Sequence, residues 1–525
     1  MRSWESTKKK YIDWLSNTPL KKEFAKNVKY NDFSLWWVNK LVDRDNLNEQ
    51  LWYEKLNKKF GNKKFDENNN YFFYIFILKL IKSFLRKVFA IIFIKLFIPK
   101  KNISNKKDTC LYSLLSNFKL IGKNYTDYQF GRYGLLDTKN KIYFLDISEN
   151  FNLILNFKNI KKILQKIPCD YVIDQHFIKI KDVFDVYLSL IINLFRTKKI
   201  LKKKNFFLIK NSNCENILRP KLLESYCGVT QDYLLKGLAL KNFLTKIKCK
   251  NLVTYFEFFP RARSLYYYAK KAKVKNIVSF QHGSGHFENA LVFNLSKKEF
   301  SNKMFNNLYS PKPDIICCQS EVYYKLMSKI FGKKFLYTIG SLKYELSKKF
   351  QPPRKIRKNY DKRIKILIVA GLYDWPPFSK LLNKCKLNKF KIFLSPHPVT
   401  KTKCVNFFKE NFRHEFKVVN SDFYRNLNER DYIICGDSSL GIVLAINKYN
   451  VFRVYDKHKE FISNFIKNQD IVTVCNSRDI ESTLKRKVYN NKHTLIKNFS
   501  FKYDRNASNR LEKILKNYNQ IKIKP

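Results

Sequence analysis

The chain has 525 residues, of which 45% are hydrophobic and 16% aromatic, so it can fill two or three domain cores and is not intrinsically disordered. Its formal net charge of +60 would suggest a nucleic-acid partner, but the lysines are spread from Lys8 to Lys524 without a nucleic-acid-binding motif, so we do not expect one. Eleven cysteines without a Cys-x-x-Cys pair, and an N-terminus without the apolar core of a secretory signal, indicate a reduced, cytoplasmic compartment.

The first part of the chain, 1–104, is predicted to be a helical N-terminal region. It contains the adjacent pair Trp36 and Trp37, for which we favour a place in the core over a role as a platform for a ligand. A second possibility for such a pair, stacking on a ligand, stays open at this point.

A strongly apolar segment, 71–99, ends this region. Its basic residues are too frequent for a spanning helix, yet Lys79, Lys82 and Arg86 fall on one stripe of a helix at 100° per residue. This pattern predicts an amphipathic basic helix. Two interpretations are open: the helix lies on an anionic membrane surface, which would make the protein peripheral on the inner face of the cytoplasmic membrane, or it packs on the protein.

The next part, 105–350, alternates β-branched or aromatic runs with helical stretches, as in βα units. The strands expected there are 142–146, 171–174, 252–256, 276–280, 314–318 and 335–339. The helices expected between them are 262–273 and 320–330. Such alternation predicts a Rossmann-like domain with a parallel sheet.

A basic, proline-containing stretch, 348–363, has the composition of a linker. A second alternating block follows at 364–485, and a helical tail at 486–525. The strands expected in the second block are 364–371, 391–395, 432–435, 451–455 and 471–475. The predicted fold is therefore α/β, with two Rossmann-type, doubly wound parallel-sheet domains facing across a cleft and an N-terminal helical appendage.

Ligands of open parallel sheets bind beyond the carboxyl ends of the strands, so the loops that follow strands are the candidates for a site. One such loop, Gly436-Asp437-Ser438-Ser439-Leu440-Gly441, opens a helix. Its hydroxyls, its backbone N–H groups and the helix dipole suit a phosphate. The alternative is an ordinary helix cap by Ser or Asp.

A second loop, Ser395-Pro396-His397-Pro398, follows another strand of the same block. A histidine between prolines is held on a stiff backbone, and its imidazole can donate to a phosphate or to a leaving group. Together with the Ser-Ser helix start, it predicts an anion site in this domain.

A third loop, Gln281-His282-Gly283-Ser284-Gly285-His286, belongs to the first sheet domain. Its glycines let the backbone approach a ligand closely, and they argue against a helical pair of metal-binding histidines. Glu257, at the end of an earlier strand, is a candidate general base. The alternative for Glu257 is a salt bridge to Arg261 or Arg263.

These segments together resemble a bacterial surface-carbohydrate biosynthesis family that is found with O-antigen and capsule genes. The resemblance rests on Ser34-Leu-Trp-Trp37, Phe130-Gly-Arg-Tyr-Gly134, the Glu257 segment with Gln281-His282-Gly283, and Gly436-Asp437-Ser438-Ser439. The second half is also similar to GT-B glycosyltransferases of the sialyltransferase and polysialyltransferase kind, whose His-Pro and Ser-Ser motifs match His397-Pro398 and Ser438-Ser439. The acidic-acidic-Gly element that supplies the base in those enzymes has no match here.

The resemblance implies metal-independent transfer of a sugar from a nucleotide-sugar donor to a lipid-linked or growing surface polysaccharide, with no cofactor and no metal. Donor binding is expected from His397, Pro398, Ser438, Ser439, Gly436 and Gly441. The catalytic residues are expected among Glu257, His282 and His397. Acceptor contacts are expected from Gln281, Gly283 and Arg263.

Three other functions are compatible with the same sequence. A CDP-polyol phosphotransferase and a nucleotide-sugar 2-epimerase have similar two-domain architectures and loops. A non-catalytic glycan- or lipid-binding assembly factor would keep the fold without turnover, and donor binding distinguishes it from the enzymes.

Overall fold

The structure is a computed structural model. It describes residues 2–43, 73–101, 103, 107–121, 123–147, 153–202, 205–255, 257–281, 295–301, 305–345, 353, 363–371, 375–397, 400–436, 438–454, 471–486, 488, 490 and 506–521.

The helices of the described part are, in chain order, α1 (Arg2–Asn17), α2 (Pro19–Asn27), α3 (Phe73–Phe97), α4 (Leu153–Gln165), α5 (Ile180–Leu201), α6 (Glu215–Glu224), α7 (Val229–Ile247), α8 (Pro260–Lys271), α9 (Glu321–Phe331), α10 (Trp375–Leu382), α11 (Lys401–Asn411), α12 (Ser439–Ile446), α13 (Ser477–Thr483) and α14 (Ala507–Ile521). The strands are β1 (Lys29–Tyr30), β2 (Phe33–Ser34), β3 (Thr109–Leu114), β4 (Phe118–Ile121), β5 (Asn124–Asp127), β6 (Lys141–Asp146), β7 (Asp170–Ile173), β8 (Leu208–Ile209), β9 (Ser212–Asn213), β10 (Asn251–Thr254), β11 (Asn276–Phe280), β12 (Ile315–Cys318), β13 (Leu336–Thr338), β14 (Lys365–Val369), β15 (Lys391–Ser395), β16 (Phe416–Val418), β17 (Tyr432–Cys435), β18 (Asn450–Val454) and β19 (Thr473–Val474).

The first large sheet has seven strands in the order β13-β12-β11-β10-β3-β6-β7, and every pair in it is parallel. The chain starts at β3, adds β6 and β7 on one side, and then crosses to β10 on the other. Crossing over in this way creates a switch point between the carboxyl ends of β3 and β10, which is where open sheets bind ligands.

The second large sheet has six parallel strands in the order β16-β15-β14-β17-β18-β19. Its central strand β14 has apolar side chains on both faces. Ile366 and Ile368 belong to one core, and Leu367 and Val369 to the core on the other face. A strand that is buried on both sides is the signature of a doubly wound sheet. The predicted α/β fold class, with two Rossmann-type parallel-sheet domains and a helical N-terminal part, is confirmed.

The N-terminal helices do not form a core of their own. Their buried side chains share one hydrophobic cluster with residues of the first sheet, such as Tyr112 and Phe144. Trp36 and Trp37 are fully buried, which confirms their predicted place in the core. Phe33 stacks on Tyr267 of α8, with ring centroids 4.5 Å apart.

The segment Phe130-Gly-Arg-Tyr-Gly134 requires both of its glycines for packing. Gly131 has a φ of +54°, and a Cβ there would overlap the carbonyl of Leu342. A Cβ on Gly134 would overlap the hydroxyl of Tyr143. The motif thus has a structural cause, since only glycine lets these backbones approach so closely.

The C-terminal helix α14 packs on the first sheet domain, although the chain reaches it after the second. Leu511 and Leu515 are buried in a cluster with residues of the first sheet. The Arg510 guanidinium donates to the carbonyl of Ile339 at 2.8 Å, and Lys141 pairs with Glu512. The helix α14 of the predicted tail is therefore part of the first unit, while Val488 at the start of that tail is buried in a core of the second sheet.

Candidate functional site

The second sheet brings the two predicted donor loops to one edge. β14 lies between β15 and β17, so the ends of β15 and β17 are about 10 Å apart. His397 follows the end of β15, and Gly436 follows the end of β17. The chain crosses from one side of β14 to the other between these strands, so the loop at Gly436 lies at the switch point of this sheet.

Ser438 is the residue before the first turn of α12. Its side chain makes no capping hydrogen bond, so the alternative that it serves as an ordinary cap is not what the structure shows. The carbonyl of Ser438 accepts from the backbone N–H of Gly441 at 3.1 Å. Ser439 is the first residue of α12, while its side chain, like all of Asp437 and Pro398, lies outside the described part.

Gly441 has a packing role. A Cβ at this position would overlap Cys435 Sγ and lie 2.8 Å from Cys435 Cβ. Glycine therefore lets the start of α12 approach the end of β17 closely, and this approach sets the direction of the helix.

A buried arginine beneath the loop was not among the predicted site residues. Arg453, on β18, is fully buried, and its Nε donates to the carbonyl of Gly436 at 3.2 Å. Burying a cation is costly unless it has partners, and here the carbonyl of Gly436 is one of them. The position of Arg453 beside this loop gives the switch point a fixed positive charge. The sequence does contain a sign of this arginine's special position, because a single charged residue interrupts the apolar strand 450–454.

His397 is half-buried, and its carbonyl accepts from the backbone N–H of Thr400 at 3.1 Å. Burial lowers the pKa of His397, and the nearby Lys343 ammonium lowers it further. Lys343 belongs to the first sheet domain, so the charge of a lysine of the first domain acts on a histidine of the second.

Two lysines and a tyrosine of the first domain form this cationic cluster. Lys119 and Lys343 have their Nζ atoms 4.4 Å and 4.5 Å from the centre of the Tyr128 ring. Burial lowers the pKa of Lys119, Lys343 lowers it further, and Asp422 of the second domain opposes this shift. Neither lysine could be singled out in a sequence with 103 Lys and Arg residues.

Glu257 lies at the switch point of the first sheet, three residues after the end of β10. It is buried and has a φ of +53°, a strained conformation for a residue with a side chain. Its carbonyl accepts from the hydroxyl of Tyr266 at 2.5 Å. Backbone strain of this kind often occurs at functional sites, and the role of Glu257 as a base stays a prediction.

The two arginines proposed as partners of Glu257 have other carboxylates. Arg261 pairs with Asp146 at 3.2 Å, and Arg263 contacts Glu299 at 3.5 Å. Arg263 is fully buried, its Nε donates to the carbonyl of Phe258 at 3.0 Å, and its guanidinium lies over the Trp37 ring at 5.3 Å. These contacts give Arg263 a structural role, and its contact with an acceptor stays a prediction.

Gln281 is buried at the end of β11. Its Oε1 accepts from the backbone N–H of Gln319 at 3.1 Å, and its carbonyl accepts from the Gln319 side chain at 2.5 Å. The two glutamines join the ends of β11 and β12. His282 and Gly283, which come next, lie outside the described residues.

Another titratable group that the sequence analysis missed, Asp127, lies near the ends of β3 and β10, at the switch point of the first sheet. Asp127 is fully buried, and burial raises its pKa to about 6, although Ser113 and two backbone N–H groups act against this shift. Ser113 donates to Asp127, and Tyr255 accepts from Asn117 and from the backbone N–H of Leu114. Asp127 is therefore a carboxyl group poised near neutral pH behind the strand ends.

Two negative findings limit the site. A cavity of about 340 Å³ is lined by aromatic side chains including Trp37 and Tyr267, but it adjoins Asp314, at the amino end of β12, and so lies at the wrong edge of the sheet. Among the residues that the structure describes, no group of three or more His, Cys, Asp or Glu side chains is arranged to hold a metal ion.

No protein-family model matches the sequence, and comparison with curated proteins gives no match. Solved structures do resemble it. UDP-GlcNAc 2-epimerase from Neisseria meningitidis, bound to UDP-GlcNAc, is 10% identical with a TM-score of 0.42, covering 78% of this chain and 98% of that one. The wall teichoic acid polymerase TagF is 12% identical with a TM-score of 0.40, covering 85% and 99%. HepE from Anabaena, in complex with UDP-glucose, is 8% identical with a TM-score of 0.40, covering 77% and 99%. The fold assignment rests on the two parallel sheets of this structure, because sequence identities and TM-scores this low add no support to it.

Proposed function

We propose that this protein is a glycosyltransferase that moves a sugar from a nucleotide-sugar donor to a hydroxyl of a lipid-linked or growing surface polysaccharide in the cytoplasm. The observation that carries the proposal is the electrostatic interaction of His397 of the second domain with Lys343 of the first, which shares the Tyr128 ring with Lys119. Lys343 lowers the pKa of both His397 and Lys119, so these basic groups share one positive region. A region of this kind is suited to an anion such as a donor pyrophosphate.

The donor side of the proposal is the edge of the second sheet. A helix start at the switch point, the Ser438 hydroxyl that does not cap it, and Arg453 beside Gly436 give this loop the donors and the charge to hold a phosphate. We assign Gly436, Ser438, Ser439, His397 and Pro398 to donor binding. Gly441 supports them by fixing the direction of α12.

In the proposed reaction an acceptor hydroxyl oxygen attacks the anomeric carbon, and the bond from that carbon to the donor phosphate oxygen breaks. The leaving phosphate gains negative charge, which His397, Lys343 and Lys119 stabilise. The acceptor proton goes to Glu257 or His282 of the facing domain, and Gln281, Gly283 and Arg263 belong to the acceptor side.

A screen of donors gives the first test. Thermal unfolding is measured with CMP-, CDP-, UDP-, GDP- and dTDP-activated sugars, because a ligand that binds only the native state raises the unfolding temperature. We expect one nucleotide class to raise it. No shift with any of them would favour a non-catalytic assembly factor, and product formation from donor alone would favour a 2-epimerase, which needs no acceptor.

The second test compares His397→Ala with His414→Ala. His414 is a half-buried histidine of the same domain that bonds to the carbonyl of Leu382 at 3.2 Å, so its loss controls for general damage. Transfer should fall by 100-fold or more, about 3 kcal/mol, in His397→Ala alone. A folded His397→Ala protein that transfers at the wild-type rate contradicts the proposal.

A further inference from the structure

Two neighbouring helices expose an unusual number of large apolar side chains to solvent. We call this surface the α3–α5 platform. Its members are Leu78, Ile81, Leu85, Phe89, Ile92, Leu96 and Phe97 of α3, and Ile180, Phe184, Leu188, Ile191, Ile192 and Phe195 of α5. A contiguous apolar surface of this kind marks a site of interaction with a protein or a membrane.

The exposed side chains follow a single stripe on each helix. On α3 they recur at 78, 81, 85, 89, 92 and 96, and on α5 at 180, 184, 188, 191 and 195. Steps of three and four residues keep them on one face, because a helix turns by about 100° per residue. Each stripe is therefore a continuous surface and not a scatter of single exposed residues.

The two stripes lie side by side. The Phe84 ring contacts Phe184 and Tyr187, with centroids 5.0 Å and 5.2 Å apart, and the hydroxyls of Ser83 and Tyr187 are 2.8 Å apart. Farther along α3, Lys95 donates to the carbonyl of Ile178 at 2.8 Å, so the helices run antiparallel. The seam between them is closed by aromatic rings.

The opposite face of α3 is fixed to the protein. Leu80, Ile91 and Ile94 are buried in the cores, and Lys87 pairs with Asp232 of α7 at 2.9 Å. The interpretation that this segment packs on the protein therefore holds for one face, while another face is left to solvent. A surface held this firmly is preorganised for a partner.

Basic side chains border the platform. On α3, Lys79, Lys82 and Arg86 lie about 60–120° from Leu85, on the side away from Phe84. No acidic residue is present in this helix.

On α5, Arg196 lies about 80° from Leu188, on the side away from Tyr187, with Asp185 near it. Lys181 and Lys199 stand at the two ends of the stripe. Asp182 lies on this same side of α5, so the cationic border belongs to α3, while on α5 the lysines stand within the stripe itself.

We propose that the α3–α5 platform docks on an anionic lipid bilayer, with its apolar stripes in the acyl boundary and the basic border of α3, with Lys181 and Lys199 of α5, at the head groups. An apolar face with cationic flanks is the pattern of an interfacial helix. No helix in the described part of the chain is long and apolar enough to cross a bilayer, so the contact we propose is with the surface. A second copy of a chain with net charge +60 is a poor match for this face, because like charges repel.

The test is co-sedimentation of the full chain with vesicles, without any sugar donor. Vesicles of phosphatidylcholine alone are compared with vesicles that also contain phosphatidylglycerol. The variant pair Leu85→Glu and Leu188→Glu, at side chains 60% and 61% exposed, is compared with Val418→Glu, which is 41% exposed on an edge strand of the second sheet. We expect the double variant to lose binding by about tenfold or more, with an unchanged unfolding temperature, and Val418→Glu to bind normally.

Lys79→Glu with Lys82→Glu should weaken binding to the anionic vesicles only. Equal binding of the wild type to both vesicle types, or no effect of the Leu85 and Leu188 changes, overturns the proposal. A wild-type dimer that the same double variant dissociates would instead assign the platform to a second copy. Donor binding is measured by calorimetry in parallel. The membrane proposal does not depend on the proposed transfer reaction, so a failure of donor binding would count against the transfer reaction and not against the membrane proposal.

Discussion

At the scale of single residues, Asp127 shows how burial tunes a group that the sequence does not distinguish. Asp127 is not part of a recognisable motif, yet its position at the end of β5 buries it completely. Burial raises its pKa from 3.8 to about 6. The folded protein therefore holds this proton across a pH range in which the unfolded chain has released it.

The first prediction concerns Asp127→Asn. Between pH 4 and pH 6 the folded state binds more protons than the unfolded state, so this group's contribution to stability is full below pH 4 and is lost as the pH rises through 6. Relative to Asp127→Asn, the wild type should lose up to about 3 kcal/mol of unfolding free energy across this window. Urea unfolding at several pH values measures it, with the exposed Asp137→Asn as control. Parallel pH profiles for wild type and Asp127→Asn would show that Asp127 titrates normally.

A second prediction at this scale concerns Gly441→Ala. The added methyl group has no room against Cys435, so we expect a loss of about 1–3 kcal/mol in unfolding free energy and weaker donor binding as α12 shifts. The double variant with Cys435→Ala should recover part of the stability, because it removes the closest atom. Equal stability of Gly441→Ala and wild type would mean that the helix does not need this close approach.

The sequence predicts residues of the site only where a loop follows an apolar strand. His397, Gly436 and Ser438 come directly after strands whose runs of Ile, Leu and Val are unmistakable, and the structure places them on one edge. Lys119 and Lys343 carry no such signal. The fold brings these two lysines to the same Tyr128 ring. In a lysine-rich chain, no single lysine can be identified from sequence as part of a site.

At the scale of elements, strand positions were predicted well because both faces of these sheets are buried. The strands 276–280, 391–395 and 432–435 agree with β11, β15 and β17 at both ends. Shorter edge strands agree less, and the expected strand 471–475 is reduced to β19. The helices α5 and α7 were not predicted. In α5 the reason is that exposed apolar residues leave the helix without a clear polar face.

The network that holds α3 and α7 to the first sheet gives an element-scale prediction. Lys236 contacts Asp146 at 2.9 Å and Asp232 at 2.7 Å, and Lys87 contacts Asp232 at 2.9 Å. Asp232→Ala leaves two buried ammonium groups without this carboxylate and should cost about 3–5 kcal/mol of unfolding free energy. Chemical denaturation measures this loss, with the exposed Asp185→Ala of α5 as control. A cost below 1 kcal/mol would mean that water replaces the carboxylate.

At the scale of the whole molecule, the two sheet domains are unequal. The first gathers the N-terminal helices, its own seven strands and α14 around its cores, while the second has its own clusters on the two faces of β14. The predicted division of the chain anticipated two sheets. It could not show that α14 returns to the first sheet, because an amphipathic helix does not encode its partner.

This arrangement predicts which unit a tail mutation destabilises. Leu511 is fully buried against the first sheet, so Leu511→Ala should cost about 2–5 kcal/mol there. Calorimetry should show a lower unfolding temperature for the transition of the first domain and no change for the second. Ile514→Ala, at a partly buried position of the same helix, should cost less. A shift confined to the second domain would contradict the packing of α14.

The return of α14 also determines when the first domain is complete during synthesis. The ribosome must translate the whole second domain before Leu511 and Leu515 emerge to cover their part of the first core. Until then, the nascent chain carries an uncovered apolar face alongside the exposed helices α3 and α5. We therefore expect ribosome-bound intermediates of this protein to need chaperones for longer than the number of residues in its first domain would suggest.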